Sequence, residues 1–224
     1  MKATAIMVFA KAPRPGEVKT RLIPLIGAEG AAALHARLVK RALATARSAG
    51  FTDVELHCAP DTGDPFFRFC ARHYRVALRA QPEGDLGRRM LGAFEAALAR
   101  RARALLMGSD CPALGARHLL GAERALREGC DAVLCPAEDG GYVLIGLARC
   151  DARLFDGIAW GGAGVMTETR ARLAALGWRW RELETLWDVD RPEDYHRLAA
   201  GWKRKSGSFS VRGRPISKKG HDLS

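Results

Sequence analysis

The chain has 224 residues, 48% of them hydrophobic and 7% aromatic, with a formal net charge of +11. That length suits one sizeable α/β domain and is short for two. The charge invites a nucleic-acid or membrane-surface reading, but residues 203–224 hold seven cations against Asp222, a net of +6, which leaves +5 for the body.

The six cysteines form no Cys-x-x-Cys pair and no His pair stands at zinc spacing, which argues against a structural metal knot. Several lie in apolar runs and read as small core residues of a protein in the reducing cytoplasm. The N-terminal apolar run is about eight residues long and leads straight into a basic loop, so it reads as a first strand and not as a signal peptide. No apolar stretch approaches the roughly 20 residues that span a bilayer, and no membrane association is expected.

Ala3 to Phe9 predicts a central strand. The loop that follows, Ala10 to Arg21, carries two prolines, a glycine and four cations. Ala28 to Ser48 is an Ala-rich helix with Ala31, Leu34, Leu38 and Ala42 on one stripe, stopped by Gly50. Asp53 to Cys58 is a second strand, Pro65 to His73 a short helix and Tyr74 to Arg79 a third strand. The turn Gln81 to Asp85 then delivers Asp85 as N-cap of a helix whose Leu86, Met90, Phe94 and Ala97 share a face.

Arg103 to Met107 reads as a buried strand, ended by Pro112, and a helix over about 115–128 turns Leu119, Ala122 and Leu126 inward. Such alternation argues a parallel sheet covered on both faces. The rhythm breaks after Asp131. Ala132 to Pro136 and Tyr142 to Leu147 are separated by five residues, too few for a crossover helix, so this pair should be antiparallel or splayed and the sheet mixed. Val165, Thr169, Leu173 and Leu176 mark another helix, Trp178 to Leu186 a last strand and Pro192 to Ala200 a terminal helix. The domain is placed at 1–202, and the Ser-, Gly- and cation-rich segment 203–224 is expected to be disordered.

Asp110, in Gly108-Ser109-Asp110-Cys111-Pro112, falls at the carboxyl edge of the sheet, where open α/β sheets bind ligands. Either it is a metal or phosphate-site residue, or it caps a turn. The basic loop is not a P-loop, because Gly16 and Lys19 are not adjacent, and no G-x-G-x-x-G is present. It is either a solvated loop or a proline-stiffened platform where Lys11, Arg14, Lys19 and Arg21 meet polyphosphate charge. Asp188 and Asp190, two residues apart in an extended segment, can face one cation; equally, Asp190-x-x-Glu193 reads as a capping box. Glu138-Asp139-Gly140-Gly141 is either a tight turn or a site where Asp139 acts as a base on an acceptor hydroxyl.

Five stretches carry one resemblance: Phe9 to Leu22, Gln81-Pro82-x-Gly84-Asp85-Leu86-Gly87-x-Arg89-Met90, Gly108 to Pro112, Pro136 to Leu147 and Asp188-Val189-Asp190-x-Pro192-Glu193-Asp194. In this order they resemble the bacterial rSAM/selenodomain-associated transferases of glycosyltransferase A type, over about residues 3–200. Trp160-Gly161-Gly162-Ala163-Gly164 departs from that family's more polar turn.

The resemblance implies a nucleotide-diphospho-sugar transferase fold of glycosyltransferase A type, a Rossmann-like three-layer α/β/α domain whose mostly parallel sheet has one antiparallel strand. It implies Mg²⁺ or Mn²⁺ held by Asp110 and Asp190, assisted by Asp188, and a nucleotide over the first loop on Lys11, Arg14, Gly16, Lys19 and Arg21. Gln81, Gly84, Asp85 and Arg89 would meet the base or ribose, with Glu138 or Asp139 at the acceptor.

The expected activity is glycosyl transfer from a nucleoside diphosphate sugar to a small acceptor. The alternatives are a guanylyltransferase-like nucleotidyl transfer that releases pyrophosphate and, from another class, nucleic-acid binding through the basic tail, which the placement of charge argues against.

Overall fold

The computed structural model describes residues 4–206. Seven strands form one sheet in the order β3-β2-β1-β4-β6-β5-β7. The central strand β1 (Thr4–Lys11) pairs in parallel with β2 (Val54–Ala59) on one side and β4 (Arg103–Gly108) on the other. Beyond β2 lies β3 (Ala77–Ala80), also parallel. On the other side β6 (Tyr142–Leu147) runs antiparallel to both β4 and β5 (Ala132–Pro136), and β7 (Trp180–Glu182) closes the edge in parallel with β5. The one reversed strand is β6, as the short 137–141 connection requires.

β1 is buried on both faces, which is why its sequence is an unbroken apolar run and not an alternation. Ile6, Val8 and Ala10 face a core shared with α1 (Ile23–Ser48), α2 (Pro65–Tyr74) and α4 (Ala116–Arg127). Ala5, Met7 and Phe9 face a second core built with α3 (Leu86–Leu98) and α5 (Val165–Ala175). A third cluster ties Leu22, Leu34 and Leu38 to Val189 and to Leu198 of α6 (Pro192–Ser206). That cluster brings the end of the chain back over its beginning.

Several expected boundaries move for local reasons. α1 begins at Ile23 with Pro24 in its first turn, and Gly27, at φ 72°, interrupts it where the sequence pattern starts at Ala28. Tyr74 ends α2 and does not begin a strand, because Arg75 at φ 53° closes the helix in the left-handed conformation, its N–H donating to the Ala71 carbonyl. The last strand is confined to Trp180–Glu182, with a single further bridge from Leu186 to Ala137. Leu86 is 44% exposed and not on the buried face of α3. α6 runs to Ser206, past the expected boundary at 202, and the rest of the basic segment, 207–224, lies outside the described residues.

The expectation that no stretch reaches membrane-spanning length is also corrected: Thr20–Ser48 is long and apolar enough by length and composition. Its Val39 and Leu43 pack on the sheet, and its Leu34 and Leu38 pack against Leu22, Val189 and Leu198, which is the character of a core helix.

Candidate functional site

The order β3-β2-β1-β4 makes the gap between the carboxyl ends of β1 and β4 a point where the chain switches direction across the sheet, the place where ligands bind in such folds. Phe9 stands opposite Gly108 in the register, so the basic loop and the Asp110 turn leave the sheet side by side. Between them opens a cleft of about 610 Å³. Lys11, Lys19, Arg21 and Arg89 line it with positive charge; Glu17, Asp110, Asp139, Asp188 and Asp190 line it with negative.

The two acidic stretches are joined by backbone: the Val189 N–H donates to the Asp110 carbonyl at 2.9 Å. Val189 is fully buried, so its neighbours Asp188 and Asp190 turn the other way, into the cleft. Asp139 arrives because the Glu138 N–H donates to the Leu186 carbonyl, laying this turn beside the segment that leads to Asp188. Its Oδ1 accepts from the Gly141 N–H, which fixes the turn and leaves the other oxygen free for the cleft.

Asp110 is held on both oxygens. Lys19 Nζ lies 2.7 Å from Oδ2, and its side chain is only 4% exposed. Ser109 Oγ donates to Oδ1 at 3.2 Å, and His35 Nδ1 lies 3.6 Å from the same oxygen without a hydrogen bond to it. His35 Nε2 donates to the Lys11 carbonyl at 3.0 Å, so one buried imidazole touches both the end of β1 and the acid beyond β4. Burial alone would raise the Asp110 pKa, but the Lys19 ammonium, and after it His35, hold the carboxyl below the usual carboxylate range. Asp188 is the opposite case: burial first, then the charges of Asp139 and Asp110, push its pKa up to about 6. The acidic side is short of positive charge at Asp188, while Asp190 is paired with Arg21.

Other expected residues lie elsewhere. Glu138 forms an ion pair with Arg197, 2.8 Å apart, and takes no part in lining the cleft. Arg14 is drawn off by Asp64 and Glu17. Gly16, at φ 85°, supplies a turn and does not line the cleft. Asp85 caps α3 through the Arg88 N–H, and the Gly84 carbonyl accepts from Arg89 Nε; both position the cleft wall from behind. Gln81 does line the cleft, its Nε2 donating to the carbonyls of His57 and Ala10. The expected capping box at Asp190 is replaced by Asp194, whose Oδ2 accepts from the N–H groups of Asp190 and Arg191, so the Asp190 carboxylate is free to face inward.

His35 was the residue that local pattern did not single out. Its signal is a lone polar side chain four residues after Ala31 on the buried face of α1, where a polar group needs a partner.

Among the described residues no three His, Cys, Asp or Glu side chains are grouped so as to hold an ion unaided. The donor set nevertheless fits Mg²⁺, which is commonly held by one or two carboxylates and completed by substrate phosphates: Asp110 and Asp188 are oxygen donors on one wall, facing a cationic wall suited to those phosphates.

No curated protein matches the chain by sequence. A crystal structure from Desulfovibrio desulfuricans G20, provisionally described as a nucleotide-diphospho-sugar transferase, is 32% identical, with a TM-score of 0.82 over 94% of this chain and 92% of that one. A nucleotidyl transferase from Methanothermobacter thermautotroptrophicus shares 16% identity and a TM-score of 0.60 over 90% and 98% of the two chains. CMP:2-keto-3-deoxy-manno-octonic acid synthetase complexed with CTP shares 11% identity and a TM-score of 0.58 over 90% and 99%. The last two likenesses establish the fold alone. A family model described as "Uncharacterized protein conserved in bacteria (DUF2064)" matches residues 42–162, and with the 32% identical structure spanning nearly the whole length, the chain belongs to that family.

Proposed function

We propose that this protein is a cytoplasmic, divalent-metal-dependent transferase that uses an activated nucleotide, and that it moves a sugar from a nucleoside diphosphate sugar to a small acceptor, as the resemblance to the rSAM/selenodomain-associated transferases implies. The observation that carries the reading is the cleft at the β1/β4 switch point, lined by four cations and five carboxylates. Lys11, Lys19 and Arg21 bind the diphosphate, and Gln81 and Arg89 meet the nucleoside. Asp110 and Asp188, with Asp190, hold Mg²⁺ or Mn²⁺, which supplies positive charge to the departing phosphate. Asp139, not Glu138, faces the acceptor and takes the proton of its hydroxyl. The acceptor oxygen then bonds to the anomeric carbon as the bond from that carbon to the diphosphate breaks, and the nucleoside diphosphate leaves.

A second reading keeps the cleft and changes the bond. The similarity in fold to a nucleotidyl transferase and to a synthetase holding CTP favours a nucleoside triphosphate as donor, with pyrophosphate released. Thermal-shift titration of nucleotides and nucleotide sugars with Mg²⁺ or Mn²⁺ tests the common part, since a ligand of the native state raises its stability by mass action. Stabilisation by a nucleotide ligand that needs the metal, and that Asp110→Asn and Asp190→Asn weaken, is expected; no response to any ligand, or an unchanged response in both variants, overturns the site. Pyrophosphate release from any triphosphate in a panel decides for the second reading.

A further inference from the structure

The contact between Lys19 and Asp110 has a function of its own. Mg²⁺ requires oxygen ligands at about 2.0–2.1 Å in near-octahedral geometry. With Lys19 Nζ 2.7 Å from Oδ2 and Ser109 Oγ 3.2 Å from Oδ1, each oxygen of the carboxylate already has one partner, and the partner on Oδ2 is a cation. An ammonium at that distance repels a metal ion brought to the same carboxylate, so the affinity of Asp110 for metal rises when Lys19 withdraws.

Lys19 is built to stay where it is until something draws it off. It sits at φ 50° and ψ 39°, a left-handed conformation that non-glycine residues seldom adopt, directly before the turn Thr20–Leu22. Its side chain is 4% exposed, and Asp110 lines the same cleft at 40% side-chain exposure. An anion entering the cleft would compete with Asp110 for Lys19, while a metal would compete with Lys19 for Asp110.

We infer that Lys19 is an internal counter-cation that keeps Asp110 closed to the metal until a substrate phosphate draws it away, so that phosphate and metal bind in mutual dependence. The inference rests on the reading of Asp110 as a metal ligand. Coupling of this kind is reciprocal: whatever factor the phosphate contributes to metal affinity, the metal contributes to phosphate affinity.

Mn²⁺ alone is the probe, its free concentration followed by electron paramagnetic resonance in wild type, Lys19→Met, Asp110→Asn and the double variant. Lys19→Met is expected to bind Mn²⁺ at least tenfold more tightly than wild type, and to lose that gain when Asp110→Asn is added. A gain that survives in the double variant reflects only the cleft's overall charge and overturns the inference, as does no gain at all.

A measurement on the wild-type chain removes any dependence on the variants folding. Under trace acetylation read by peptide mass spectrometry, Lys19 is expected to be protected relative to Lys11 and to become several-fold more reactive at saturating Mn²⁺. Unchanged labelling overturns the inference. If Asp110→Asn weakens Mn²⁺ binding while Lys19→Met does not strengthen it, the counter-cation role fails and the metal site stands. If Asp110→Asn leaves Mn²⁺ binding untouched, both fail together.

Discussion

Two carboxylates in this molecule are withdrawn from solvent and treated in opposite ways. Glu55 on β2 is 2% exposed and is met by His57 at 3.1 Å, Arg100 at 2.9 Å and Arg79 at 3.3 Å. The His57 hydrogen bond, and then Arg100, outweigh the burial, and the pKa is held down at about 2. Asp188 sits in the cleft, where burial and then the charges of Asp139 and Asp110 outweigh the nearby Lys19, and its pKa is pushed up to about 6. A charge kept for stability is matched within the chain, because an unpaired buried charge is costly. An acid left short of cation at a switch point is a place where the chain depends on a ligand to complete it.

The largest effect expected from this contrast is functional. Asp110→Asn keeps the shape of the turn and removes the charge, and should lower transfer on the order of 10²-fold or more, the cost of losing one well-placed electrostatic contact to a transition state. Product formation by wild type and variant under saturating Mn²⁺ measures it; equal rates would move the chemistry away from the cleft. Glu55→Gln should leave transfer intact and cost about 3 kcal/mol of stability, the low end for a broken buried ion pair because Arg79 and Arg100 stay half in solvent. Urea unfolding at pH 7 reads it as a lower midpoint with unchanged slope. Asp188→Asn reverses the sign. It should stabilise the metal-free protein by about 1 kcal/mol and weaken its response to Mg²⁺ or Mn²⁺, the usual exchange of function for stability at a site.

How much of this was legible in the sequence follows from the range of the interactions. Local chemistry was readable. Asp85 caps α3 as its position before Leu86 suggested, Pro112 follows the end of β4, and the five residues 137–141 enforce the reversed β6. Asp110 reached the carboxyl edge because a buried strand ends just before it.

What could not be read is set by contacts between distant residues. Nothing near Lys19 in sequence says that its ammonium will lie on Asp110, since that depends on a left-handed residue and on β1 pairing with β4. His35 and Lys11 meet across the basic loop and the first half of α1. Glu138 and Asp139 are neighbours with the same chemistry, and only the position of Arg197 on α6 takes one of them away from the cleft. The capping acid Asp194 was adjacent to the expected Glu193, an offset that helix-start patterns alone do not resolve.

The smallest effect is a pH dependence in which the two carboxylates act in different windows. For Glu55 the folded pKa of about 2 lies below its ordinary value near 4.5, so its stabilisation is fully present above the ordinary value and is lost as pH falls toward 2. For Asp188 the folded pKa of about 6 lies above its ordinary value near 3.8, so the contribution is fully present below 3.8 and is lost as pH rises through 6. Metal-free protein should therefore gain thermal stability between pH 7 and pH 5 from Asp188 and lose it again below about pH 4.5 from Glu55. Asp188→Asn should flatten the first limb and Glu55→Gln the second, each leaving the other in place. Saturating Mg²⁺ at pH 7 should also flatten the first limb, because a cation bound at Asp188 removes the penalty that protonation otherwise relieves. A first limb that persists in Asp188→Asn would place the titrating acid elsewhere in the cleft, and would transfer the unmatched charge from Asp188 to one of its acidic neighbours.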